Sequence, residues 1–209
     1  MGDGSWGVNS IKHLHIVGDS ISMHYGVYLE KMLQGKLRYS RKPPQNDDPE
    51  SANGKDSVCV IEYLQTVRRT LQCDYLLVNC GLHDLKRHLQ TNELQVPLTA
   101  YAANLETIIA LARELGSEMI WARTTPVIDQ IHNTRNTEFR RHAADVAAYN
   151  AQADSIMAQN RIEMIDLFTF TQTFGEEAYG DHVHFTEIVR AQQAAFIAGD
   201  LYQLSGELS

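Results

Sequence analysis

The stretch "DYLLVNCG", residues 74–81, is a continuous apolar run halted by a glycine. A run of this kind has no polar side to offer water, so it reads as a strand covered on both faces, as in a parallel sheet held between helices. "KHLHIVG" (12–18) and "EMIWA" (118–122) repeat the pattern, "LRYS" (37–40) reads as a short second strand, and "RIEMIDL" (161–167) reads as the last. Between the strands, apolar residues recur at three- and four-residue spacing. Helices are expected over about 21–33, from about 58 onward, over 99–115 with Gly116 closing the turn, over about 137–160, and over 186–204. Residues 41–57 hold three of the five prolines and are expected to be loop throughout.

Strand and helix alternate along the whole chain, without an internal repeat or a low-complexity segment. The expected fold is therefore α/β: a three-layer α/β/α, flavodoxin-like arrangement of about five parallel strands with helices on both faces. At 209 residues the chain is expected to form one unit, with 11–209 as a single domain and 1–10 set apart as a leader or appended residues. Acidic residues outnumber basic ones by 26 to 18, which argues against nucleic acid or an anionic membrane as partner. No apolar stretch reaches the roughly 18 residues of a membrane span. Cys59, Cys73 and Cys80 lack metal-ligand spacing and read as reduced thiols. With no secretory signal pattern at the start, a cytoplasmic location is expected.

In a doubly wound sheet, ligands bind beyond the carboxyl ends of the strands. The polar residues just past each run are Asp19 and Ser20, then His83 and Asp84, then Thr124 and Thr125; "YGDHVHFT" (179–186) precedes the last helix on the same rim. Ser20 at a strand-to-helix corner is the candidate nucleophile, His184 the candidate base, and Asp181, three residues before it, the carboxylate that orients the ring. His182 competes with His184, and Asp166 competes with Asp181 but reads as a loop anchor. Asp19 and Asp84 read as structural acceptors. His13, His15, His24, His88, His132 and His142 show no metal spacing and read as ordinary surface or core residues. Arg123, His132, Arg135, Arg140 and Arg141 form either a cationic wall for an acidic substrate or, more plainly, a solvated helix face.

Gly18-Asp19-Ser20-Ile21, Gly81-Leu82-His83-Asp84 and Asp181-His182-Val183-His184, taken in order, resemble the blocks of the SGNH hydrolases, the GDSL esterases and lipases. Gly54 stands where that family carries its second-block glycine. The resemblance spans residues 18–184 and implies acyl-ester hydrolysis without a cofactor or metal. It also implies an oxyanion hole formed by the N–H groups of Ser20 and Gly54 with a side-chain donor from the third block. The departure is His83, which occupies the position of the usual asparagine; a neutral imidazole still offers one N–H.

Three functions follow from different classes. The first is a serine esterase acting on short acyl esters or acylated carbohydrates. The second is a metal-dependent phosphoesterase, favoured by "GLHD" and "HVH" but lacking an Asp-x-His pair after the first strand. The third is a non-catalytic anion-binding module using the helix N-terminus after Gly18.

Overall fold

The computed structural model describes residues 11–206. The first ten residues, read above as a leader or appended segment, lie outside the described residues. Five parallel strands form the sheet: β1 (His13–Val17), β2 (Arg38–Arg41), β3 (Tyr75–Val78), β5 (Glu118–Ala122) and β7 (Glu163–Ile165), in the spatial order β2-β1-β3-β5-β7. A separate two-stranded antiparallel pair joins β4 (Arg87–His88) to β6 (Phe139–Arg140). The helices are α1 (Ser20–Met32), α2 (Ser57–Val67), α3 (Leu98–Leu115), α4 (Asp129–Arg135), α5 (Ala143–Asn160), α6 (Leu167–Gln172) and α7 (Glu187–Ser205).

All four residues of β3 are buried, as are Ile16, Val17, Ile120 and Trp121 beside them, which is what continuous apolar runs require. Helix α1 packs on α7, while α2, α3 and α5 pack in succession, so the sheet is covered on both faces. Right-handed crossovers assign these two groups to opposite sides. The strand order reverses between β1 and β3, whose carboxyl ends lie side by side through the pair Val17 and Val78. In doubly wound sheets ligands bind at such a reversal.

Three expectations are corrected. The loop 41–57 contains a 3-10 turn at Pro49–Ala52, capped by the Asp48 carboxylate accepting from the Glu50 amide. The segment 126–136, between the expected fourth strand and the expected helix from about 137 and read as a loop, carries α4. The long helix starts at Ala143 rather than near 137. Asn136 Oδ1 accepts from the amides of Glu138 and Phe139, which turns the chain into β6, and Asp129 Oδ1 accepts from the Ala143 amide to start α5. A side-chain acceptor that satisfies nearby amides outside a helix competes with helical pairing.

Candidate active site

β1 ends at Val17, and Gly18 and Asp19 turn the chain into α1. The Asp19 carboxylate accepts from the Ile21 amide at 3.0 Å and caps the helix, so Ser20 becomes its first residue. Gly54 packs against this corner so closely that a Cβ there would lie 2.9 Å from the Gly18 carbonyl oxygen. Gly81, with φ of 145°, would place a Cβ 2.2 Å from Thr124 Oγ1. Only glycine fits either position: Gly54 brings the loop before α2 against the Gly18 corner, and Gly81 brings the end of β3 against Thr124 beyond β5.

The turn before α7 is held by its own backbone. The Gly180 amide donates to the His184 carbonyl, the Thr186 amide donates to the Ala178 carbonyl, and Tyr179 bridges Phe185. Asp181 Oδ1 accepts from the amides of Val183 at 2.8 Å and His184 at 2.7 Å. Its other oxygen, Oδ2, lies 2.7 Å from His184 Nδ1, and His184 Nε2 lies 2.8 Å from Ser20 Oγ. With Nδ1–H donated to the carboxylate, Nε2 is the bare nitrogen that accepts the hydrogen bond of the serine hydroxyl. Burial raises the Asp181 pKa, but the His184 and Val183 amides and the imidazole outweigh it and hold the carboxyl down to about 2.

The rivals are drawn elsewhere. His182 Nδ1 is 3.0 Å from His132 Nδ1, away from the serine. Asp166 caps α6 through the Thr169 amide and pairs with Arg123, the anchoring role expected of it. Asp84 is fully buried, accepts from the amide and hydroxyl of Ser57, and is pushed up to about 7, chiefly by burial. Asp19, also buried, is pushed up to about 6 for the same first reason. Among the described residues no three His, Cys, Asp or Glu side chains group into a metal site.

Gly54 requires a correction. Its N–H donates to the Gly18 carbonyl at 2.8 Å, and the next amide, Lys55, donates to Asn53 Oδ1 at 2.9 Å, so neither is free for an oxyanion. What makes Gly54 indispensable is its close approach to Gly18. The His83 ring has no hydrogen-bond partner among the described residues. Burial, then Lys86 and Arg141, lower its pKa to about 3, leaving a neutral ring with one N–H at neutral pH.

The expected cationic wall separates into unlike parts. Arg123 pairs with Asp154 and Asp166, Arg140 donates to the Asn136 carbonyl, and Arg135 supports the site indirectly by donating to the Asp181 carbonyl. Arg141 is buried. One site residue escaped the sequence reading: the His24 ring lies 4.7 Å from the His184 ring. Its spacing of four from Ser20 along a helix was the available signal.

No family model matches the chain, and no curated protein does. Solved structures do. A lipase/acylhydrolase from Enterococcus faecalis superposes with a TM-score of 0.69 at 14% identity, covering 95% of this chain and 98% of its own. An acetyl xylan esterase, AlAXEase, gives 0.68 at 13%, covering 90% and 99%. The esterase EstA from Pseudoalteromonas sp., a structure inhibited by monoethylphosphonate, gives 0.67 at 11%, covering 92% and 98%. The fold is that of the GDSL, or SGNH, lipases, acylhydrolases and esterases.

Proposed function

We propose that this chain, which carries the SGNH-hydrolase fold, is a serine hydrolase that cleaves carboxylic esters of short acyl groups, O-acetyl groups on carbohydrates among them, through an acyl-enzyme. One observation carries the reading: Ser20 Oγ, His184 and Asp181 stand in hydrogen-bonded series at 2.8 and 2.7 Å. His184 Nε2 takes the Ser20 proton as Oγ attacks the ester carbonyl, and returns it to the departing alcohol. Water then attacks the acyl carbon as its proton passes to His184; the carbon–Oγ bond breaks, Ser20 Oγ takes the proton back from His184, and the acid leaves.

The tetrahedral intermediate needs donors aimed at its oxygen. Ser20 offers the free amide of a first helical residue, and His83 a ring N–H without another partner. His83→Ala is expected to lower kcat about a hundredfold with little change in KM, and His83→Asn to keep activity. A loss below roughly threefold in His83→Ala would take the ring out of this role.

Assays with short-chain p-nitrophenyl esters test the whole reading. Activity is expected to vanish in Ser20→Ala and after a serine-directed phosphonate, and to be indifferent to EDTA. An EDTA-sensitive phosphatase that survives Ser20→Ala would overturn it. A small-molecule ester is the partner this chemistry implies, and nothing of the acidic surface invites nucleic acid. Among the described residues no helix is long and apolar enough to cross a membrane. A cytoplasmic location is supported by the three free cysteines.

A further inference from the structure

Arg141 is 3% exposed, yet its guanidinium forms no ion pair with a described residue. Nε donates to the Leu82 carbonyl at 2.6 Å, and Nη1 is buried without any partner. The ring of Phe139 lies 4.8 Å away and offers only a weak cation–π contact. A buried charge with no counter-ion is destabilising unless some other negative charge reaches it.

The surroundings show where that charge would come from. The Phe139 ring that the guanidinium faces lies 5.6 Å from the His132 ring, and His132 Nδ1 meets His182 Nδ1 at 3.0 Å; the guanidinium charge in turn lowers the proton affinity of Asp19, His83, His132 and His182. Asp19 adjoins Ser20, His83 adjoins the Leu82 carbonyl that Arg141 holds, and His182 lies inside the Asp181–His184 turn. The cation therefore lies between the His83 loop and the Asp181–His184 turn, and its charge is felt by Asp19 beside Ser20. Asp19 is the acid whose charge acts on the guanidinium, but it caps α1 and forms no ion pair with the arginine. The donor set around Ser20 is also short, because the amides of Gly54 and Lys55 are both occupied.

We infer that Arg141 is a further catalytic residue, whose guanidinium stabilises the oxyanion of the tetrahedral intermediate beside the Ser20 amide and the His83 ring. The inference rests on the serine-esterase reading above. As the Ser20 Oγ–C bond forms, the carbonyl π pair moves onto oxygen, and the Ser20 proton passes to His184 Nε2. The guanidinium keeps its own protons throughout and supplies charge and N–H donors to the new oxyanion. When the pair returns to remake the carbonyl, the C–O bond to the alcohol breaks, and that alkoxide takes the proton from His184. Burial lowers the Arg141 pKa to about 10, still well above neutrality. A charge present only between two neutral states is the kind a preorganised cation favours, since it strengthens in the transition state rather than in the ground state.

The test compares the Ser20-dependent hydrolysis of neutral p-nitrophenyl acetate with that of mono-p-nitrophenyl succinate, whose acyl group carries a carboxylate. Arg141→Met is expected to lower kcat on both esters by roughly a hundredfold or more, with KM changed less than about threefold. Low, non-denaturing guanidinium is expected to restore part of the rate in Arg141→Gly, with circular dichroism melts verifying that each variant is folded. If Arg141→Met fails to fold, Arg141→Lys carries the test: it is expected to lose tenfold or more in kcat on both esters alike. A kcat on acetate within threefold of native, or a loss confined to the KM of the succinate ester, would overturn the inference and make Arg141 a binder of anionic acyl groups. Failure of the underlying reading looks different, because the native protein would then hydrolyse neither ester, or Ser20→Ala would hydrolyse both.

Discussion

Asp181 Oδ2 lies 2.7 Å from His184 Nδ1, and the Asp181 carboxylate is fixed in turn by two amides of its own turn. The acid thus fixes both the tautomer and the orientation of the ring. Asp181→Asn keeps the shape but presents an N–H where the ring needs an acceptor. We expect kcat to fall by about a thousandfold or more, with the melting temperature changed by only a few degrees. Ester hydrolysis within tenfold of native would show that His184 needs no orienting acid here.

His24 introduces an electrostatic handle on the same ring. Burial, then Arg190 and His184, lower the His24 pKa to about 4, so at neutral pH it is an uncharged neighbour 4.7 Å from His184. Replacing it with a permanent cation would penalise protonated His184. In His24→Lys the acidic limb of kcat/KM should move to lower pH by roughly half a unit to one unit, whereas His24→Gln should leave it in place. An unmoved limb in the lysine variant would separate the two rings electrostatically.

Gly54 tests how the corner is built. Its missing Cβ would meet the Gly18 carbonyl carbon and oxygen at 3.0 and 2.9 Å, and backbone atoms cannot swing aside. Gly54→Ala is expected to cost about 2–3 kcal/mol, seen as a drop in melting temperature of several degrees. The rate should fall as well, because Gly18 is two residues from Ser20. A variant with native stability and native rate would mean that the loop before α2 floats free of β1.

Much of this was legible from local sequence. Buried parallel strands announce themselves as unbroken apolar runs, and the Ser20 corner and the Asp181–His184 turn each lie within a few residues of chain, where spacing alone fixes geometry. Long-range pairings were not legible. The contact between His132 and His182 spans 50 residues, and the Gly54 amide finds Gly18 only after two loops pack together. Arg141 was legible only as part of a cationic wall or a solvated helix face; its burial was not, since an arginine is ordinarily expected at the surface. The start of α5 was misjudged because Asn136 diverts the chain before helical spacing can take hold.

The dependence of stability on pH follows from the buried imidazoles. His15, His24 and His132 are lowered to about 4 and His83 to about 3, burial being the first cause in every case. Between pH 6.5 and 4 the unfolded chain then binds more protons at these positions than the folded one, so stability is lost as pH falls through that range. Asp19 and Asp84, raised to about 6 and 7, act in the opposite sense, adding stability at low pH that fades as pH rises towards those values. Four imidazoles oppose two carboxyls, and the net slope should favour neutral pH. His15 isolates one contribution: it is 3% exposed and held between Ser40 and Tyr63. In His15→Gln the fall in melting temperature from pH 7.5 to pH 5 should shrink by an amount on the order of 1–2 kcal/mol, or a few degrees. An equal fall in native and variant proteins would mean that His15 is charged in the folded state, or that its proton is taken up without unfolding.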